Sequence, residues 1–206
     1  MIYVLIVLLL AALAVAAYLL WKSRQQPTKQ QQEPDDFIGD QHKHASDQLR
    51  QVRNGDVIEY LGHNWFVRGR IDFDEHGYRW TEHMLDDAEG KKWLSVEDDE
   101  SFEVSLWHSI PLGDIEQGTV GDRDIIVGGV AYRLQEKGTA AFTATGATGT
   151  APSGTADYAD YKSVDGKLLG FEKWGSNWEP SLGEVLQPFE LTVYPSSDRP
   201  ATLDDE

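Results

Sequence analysis

The sequence predicts an all-β protein, an antiparallel barrel or sandwich of about 10–12 strands, with one transmembrane helix at its N-terminus. Three features support this: an uncharged apolar segment over residues 1–21, short runs in which apolar and polar residues alternate, and turn dipeptides such as Gly128-Gly129 and Asp165-Gly166 between those runs. Alternation with period two is typical of half-buried strands, and Gly-Gly and Asp-Gly favour hairpin turns.

Residues 1–21 predict the transmembrane helix. They contain no charged, amide or proline side chain, and Tyr18 and Trp21 lie at the end where aromatic rings meet the headgroups. A bilayer core is spanned by about 20 such residues. A cleaved signal peptide is the alternative, with residues 14–16 as its cleavage site, but no basic residue precedes the apolar run. We therefore expect a retained anchor.

The orientation of this anchor is predicted by the basic residues beside it. Lys22, Arg24 and Lys29 follow the helix, and no lysine or arginine precedes it. Because positively charged flanks stay cytoplasmic, the sequence predicts an N-terminus outside the cell membrane and a cytoplasmic domain. The inverted orientation would make the protein an extracytoplasmic binding domain of the cell envelope.

The rest of the chain divides into three predicted segments. Residues 22–47 are rich in glutamine, contain two prolines and predict a flexible polar linker, with a short helix after Ser46 or Asp47. Residues 48–195 form the β-rich domain, and residues 196–206 predict a disordered acidic tail.

The β domain shows a weak internal sequence similarity between its two halves. Gly55-Asp56 opens a succession of hairpins that ends near Trp93, and Gly121-Asp122 opens a similar succession that reaches Trp174. Two related β units would explain this, although hairpin sheets resemble one another in outline.

Composition excludes several functions. A formal net charge of -17 argues against binding nucleic acid or anionic lipid surfaces. The absence of cysteine excludes disulfides, thiolate nucleophiles and cysteine-ligated metals. No phosphate-binding loop or serine nucleophile motif occurs, and the histidine spacings do not predict a metal site, so we expect no cofactor.

Glu82 and Glu172 are the candidate catalytic residues. Glu82 shares a strand face with Trp80, and Glu172 precedes Trp174 by two residues as its proposed counterpart in the second half. Two carboxyl groups in one cleft could perform acid and base catalysis. We favour the interpretation in which Glu82 is structural and pairs across the sheet with an arginine, namely Arg68, Arg70 or Arg79, because structural ion pairs also perturb pKa values.

Two further residues are candidates for binding. Trp178 lies in the predicted loop of residues 176–180, where an exposed indole would offer a stacking surface. His83 directly follows Glu82.

The residues Gly55-Asp56, Trp80, Glu82 and Leu85 carry a family resemblance. Over roughly residues 49–195 the chain resembles the bacterial family domain of unknown function 4178, whose pattern includes Gly-Asp and Trp-x-Glu-Tyr-x-Leu. His83 replaces the tyrosine of that pattern. The resemblance implies a β-rich domain, often encoded near small membrane proteins and polyamine aminopropyltransferase-like proteins.

The sequence contains a predicted membrane anchor but no catalytic motif. It therefore predicts a non-catalytic module that binds a protein or a small ligand. A membrane protein is the expected partner. An enzyme that uses Glu82 and Glu172 is the alternative.

Overall fold

The computed structural model describes residues 34–88, 90–99 and 101–197. Within them one α-helix precedes twelve strands. The elements are α1 (Pro34–Arg50), β1 (Val57–Tyr60), β2 (His63–Glu75), β3 (Tyr78–Asp86), β4 (Lys91–Asp98), β5 (Phe102–Ser109), β6 (Ile115–Gln117), β7 (Asp124–Val127), β8 (Val130–Gly146), β9 (Ser153–Ser163), β10 (Leu168–Lys173), β11 (Glu179–Leu186) and β12 (Leu191–Tyr194). Short 3-10 helices, Leu112–Asp114 and Pro188–Glu190, precede β6 and β12.

The predicted transmembrane helix, at residues 1–21, lies outside the described residues, as does most of the predicted acidic tail. Within the described part of the chain no helix has the length and apolar character needed to cross a membrane.

Helix α1 begins much earlier than the short helix predicted after Ser46 or Asp47. The chain divides into two compact units inside α1, after Gly39, and the whole β domain lies in the second unit. The end of α1 buries Leu49, and Arg50 Nε donates to Asp98 Oδ2 on β4 at 2.7 Å. These contacts join distant parts of the chain and hold the C-terminal end of the helix against the β domain.

Eight of the strands close into an antiparallel barrel in the order β2-β3-β4-β5-β11-β10-β9-β8, and the pairing of β2 with β8 completes the ring. The prediction of an all-β antiparallel fold is confirmed. Strands β2 and β8 are long, and different parts of each strand pair with different neighbouring strands. Residues 57–60 of β1 pair with residues 63–66 of β2, whereas residues 69–74 of β2 pair with β8.

The two halves of the domain have the same order of elements. Strands β1–β5, a 3-10 helix and β6 form the first half, and β7–β11, a 3-10 helix and β12 form the second. The last strand of each half pairs with the first strand of the other, β6 with β7 and β12 with β1.

The turn that precedes the first strands of each half also has the same hydrogen bonding in both halves. Asp56 Oδ2 accepts a hydrogen bond from the backbone N–H of Arg53, and Asp122 Oδ2 accepts one from Thr119, each at 2.9 Å. Gly55 and Gly121, which precede these aspartates, have φ of 94° and 97°. Glycine adopts this left-handed conformation without steric cost, so the repeated Gly-Asp dipeptide reflects a repeated turn.

The core lies largely on the outer side of the barrel. On β4, Leu94 and Val96 are buried against β1, β12 and α1, while alternate residues such as Trp93 and Ser95 face inward. A second cluster, built around Tyr161, Leu169 and Phe171, lies against β7 and the first part of β8. Flanking strands therefore cover the barrel from outside. A third, smaller cluster around Phe73 and Phe142 packs with Trp80 and Trp174 on the inner side.

Candidate functional site

The inside of the barrel holds two adjoining cavities of about 300 and 260 Å³, which we call the lumen. Both are lined by Glu82 of β3, Trp107 of β5, Asp160 of β9 and Glu172 of β10. These strands place the side chains inward because successive residues of a strand point to opposite faces. The first cavity is additionally lined by Trp93, Trp174, Glu179 and Ser181, and the second by Trp80, Glu97, Glu103, Ser105, Glu136 and Tyr158.

Glu82 and Glu172, the two predicted catalytic candidates, meet in this lumen. Their side chains are joined by a hydrogen bond, although β3 and β10 are not neighbours in the barrel. Trp80 donates its indole N–H to Glu82, and Trp174 donates to Glu172. A hydrogen bond between two carboxyl groups requires a proton on one of them.

Burial changes the acidity of this pair. Removal from water raises the pKa of Glu82 to about 7, and the nearby charge of Asp160 acts in the same direction. The pKa of Glu172 is raised well above its usual range, first by burial and then by the charge of Glu82. The pair therefore retains a proton near neutral pH.

Asp160 is a third carboxyl group in the lumen. Burial raises its pKa to about 7, and the charges of Glu136, Glu172 and Glu97 add to the effect. Among the described residues it has no hydrogen-bond or salt-bridge partner. The sequence analysis missed Asp160, although it lies two residues after Tyr158 on β9 as Glu82 lies two residues after Trp80 on β3.

The three arginines that were expected to pair with Glu82 pair with other residues. They form salt bridges with other aspartates: Arg68 with Asp86, Arg70 with Asp72, and Arg79 with Asp74. The interpretation of Glu82 as a structural ion-pair partner is therefore wrong. Among the described residues that line the lumen, the only lysine or arginine is Lys162, and it is exposed.

Aromatic contacts fix the tryptophans of the lumen. Trp80 stacks on Phe73 with ring centroids 4.6 Å apart, and Trp174 meets Phe142 edge to face at 4.8 Å. The indole N–H of Trp107 donates to Ser105 Oγ at 2.8 Å. The lumen thus combines rigid aromatic walls with carboxyl groups.

The ladders of the two halves match residue by residue around the lumen. Glu97 lies opposite Glu103 in the β4–β5 ladder, and Glu172 lies opposite Glu179 in the β10–β11 ladder. Trp80 lies opposite Glu97, and Tyr158 lies opposite Glu172. The counterpart of Glu82 is therefore Asp160, and that of Glu172 is Glu97. The sequence prediction that Glu172 is the counterpart of Glu82 is replaced by this pairing.

The family model described as domain of unknown function DUF4178 matches residues 53–188. The chain belongs to this family. An uncharacterized protein of Mycobacterium bovis and two from Mycobacterium tuberculosis strains are each 34% identical to it over 155 residues, which cover 71% of this chain and 73% of each relative. No solved structure matches it.

The other predicted binding residues of this DUF4178 domain lie outside the lumen lining. His83 is 2% exposed, its Nδ1 has no hydrogen-bond partner, and burial with the charge of Arg70 lowers its pKa to about 4. Trp178 is half-buried and packs edge to face on Phe171, with Lys173 over its ring at 5.0 Å.

A metal centre is not formed by the described residues, where no group of three or more histidine, aspartate or glutamate side chains is arranged to hold an ion. The turn of residues 146–152, which lacks the lysine of a phosphate-binding loop, instead places Thr148 and Thr150 at the first cavity, where their hydroxyl groups are hydrogen bonded at 2.9 Å.

Proposed function

We propose that this DUF4178 domain is a non-catalytic binding module that encloses a small polar molecule in the lumen of its barrel. The observation that carries the proposal is the lumen, where the inward-facing carboxyl groups of Glu82, Asp160 and Glu172 have no lysine or arginine partner among the described residues. An eight-stranded barrel is wide enough to hold one small ligand, and pockets for small molecules begin at about 300 Å³.

A purely structural interior would be built differently. Burying a carboxylate costs several kcal/mol unless a cation or hydrogen bonds compensate, so a barrel without a ligand would be more stable with apolar side chains at Glu82 and Asp160. Rigid indoles beside convergent polar groups are typical of ligand pockets.

Equilibrium dialysis tests this function. The purified full-length chain is dialysed against a small-molecule extract of a bacterial culture, and the retained compounds are measured by mass spectrometry. A compound enriched by the wild type should be lost from Ser181→Phe, which fills the first cavity, and kept by Thr192→Phe, an exposed position on β12. Equal retention by both variants, or no retention by the wild type, would contradict the proposal.

A second candidate function is acid and base catalysis by Glu82 and Glu172. The specific observation in its favour is their hydrogen bond together with the raised pKa of Glu82, because a general acid or base works best when its pKa lies near the ambient pH. The same dialysis distinguishes the two functions. A binding module returns the compound unchanged, whereas an enzyme converts it, and Glu172→Gln abolishes the conversion.

We further propose that residues 1–21 hold the domain at the cytoplasmic face of the cell membrane, beside a membrane-protein partner. The uncharged segment and the three basic residues after it support this placement. Protease added to intact cells should leave the domain uncut, and digestion would show the opposite orientation. Affinity purification in detergent identifies the partner, with aminopropyltransferase-like proteins as the first to look for.

A further inference from the structure

We propose that the ligand of the lumen is a linear aliphatic diamine, with one ammonium group in each of the two cavities. This inference rests on the proposed lumen-binding function and adds the chemical class of the ligand.

The first argument is the approximate two-fold symmetry of the lining. Glu179 lines only the first cavity and its counterpart Glu103 lines only the second, while Glu82 and its counterpart Asp160 line both. The serines follow the same rule, since Ser181 lines the first cavity and Ser105 the second. Two equivalent acidic sites that join at Glu82 and Asp160 fit a molecule with two equivalent cationic ends.

The second argument is charge. Glu82, Glu172 and Asp160 lie deep in the barrel, and no lysine or arginine among the described residues contacts them. Asp160, which faces both cavities, lacks any hydrogen-bond partner in the described chain. A buried carboxylate is stable when it is paired with a cation, and two ammonium groups supply that charge from outside the protein.

The third argument is the character of the walls. Trp93, Trp107 and Trp174 line the first cavity. Indole faces attract ammonium groups and also shield methylene groups from water. A bare metal ion would use neither property, and a combined volume of several hundred Å³ is far larger than it requires. An anionic ligand would be repelled by the same carboxyl groups.

Isothermal titration calorimetry of the full-length chain tests the inference. The probes are unbranched α,ω-diamines with three to eight carbons, the monoamine of each length and the corresponding diol. At least one diamine should bind, its monoamine should bind about thirtyfold more weakly or worse, and its diol should not bind, because loss of a buried charge pair costs about 2 kcal/mol or more.

Charge-removing variants test the carboxyl groups of the lumen. Glu172→Gln, at a residue that lines both cavities, and Glu97→Gln, at a residue that lines only the second, should each weaken diamine binding about tenfold or more, whereas Glu59→Gln on β1 should leave it unchanged. Circular dichroism confirms that each variant is folded. If one variant does not fold, the monoamine and diol series still decides the charge requirement.

The outcomes separate this inference from the proposed function. If no diamine binds, or a diol binds equally well, the ligand class is wrong. If dialysis nevertheless retains a neutral or anionic compound that Ser181→Phe loses, lumen binding stands and only the ligand class fails. If dialysis retains nothing either, both fail.

Discussion

The carboxyl of Glu82 accepts a hydrogen bond from Trp80 and shares a proton with Glu172, and neither carboxyl contacts a lysine or arginine of the described residues. Apolar residues of similar size would satisfy the fold at lower cost. Residues that reduce stability in this way are concentrated at functional sites, where the same groups meet a ligand.

Glu82→Gln should therefore stabilise the ligand-free protein at high pH. The folded pKa of about 7 lies above the usual value of 4.5, so the stability contributed by the protonated form is lost as pH rises through 7. At pH 8.5 the variant should gain up to about 3 kcal/mol relative to its effect at pH 5. Urea denaturation at both pH values measures this, and Glu103→Gln, an exposed carboxyl, is the control. An unchanged pH dependence in Glu82→Gln would contradict the assignment.

His83 should make the protein sensitive to acid. Its folded pKa of about 4 lies below the usual 6.5, so between these values the unfolded chain binds a proton that the folded chain does not. Stability then falls as pH drops from about 6.5 to about 4, by up to about 3 kcal/mol. His83→Leu should remove this part of the pH dependence, and the exposed His108→Leu should retain it. The free energy of unfolding at pH 7 and pH 4.5 is the measurement.

Strand β11 approaches the ring of Trp107 at a glycine. A Cβ at Gly183 would lie 2.5 Å from Trp107 Cδ2, whereas a Cβ at Gly175 would meet nothing within 4 Å. Gly183→Ala should force the indole to move and cost about 1–3 kcal/mol, while Gly175→Ala should be nearly neutral. Thermal unfolding measures the cost, and tryptophan fluorescence reports the displaced ring. If both variants melt like the wild type, Trp107 is not held by this contact.

The elements of the barrel were predictable because their signals are local. Period-two alternation from Trp65 to Phe73 gave β2, and Gly128-Gly129 gave the turn between β7 and β8. Closure of the ring depends on the β2–β8 pairing, which joins residues far apart in the chain and leaves no local mark.

The candidate site was also predictable where its signals are local, and not where it depends on contacts between distant strands. The position of Glu82 beside Trp80 identified a carboxyl in aromatic surroundings, and Glu172 was found in the same way. Asp160 was missed because it lies in a tripeptide, Ala-Asp-Tyr, that occurs twice over residues 156–161, and this period of three obscures the period-two alternation of inward and outward positions. The order of strands in the barrel determines which carboxyl groups come into contact. This order could not be predicted from the sequence alone.

The two halves of the molecule are interlocked, since each completes its partner's outer sheet. Strand β12 of the second half pairs with β1 of the first, and its Leu191 and Val193 are buried against Leu49 of α1. Neither half can bury these surfaces alone, so the domain should unfold as one cooperative unit in which tryptophan fluorescence and circular dichroism give the same transition.

A chain that ends at Gln187 tests this dependence. It lacks Leu191 and Val193, and the loss of two buried side chains should cost about 4 kcal/mol or more, a large part of the stability of an ordinary domain. A chain that ends at Ser197 keeps β12 and is the control. Because β12 pairs with β1 of the first half, a peptide of residues 188–197 should restore the lost stability in trans. If the truncated chain instead keeps the second half folded while β1–β5 melt separately, the halves are independent units and the interlocked arrangement does not govern stability.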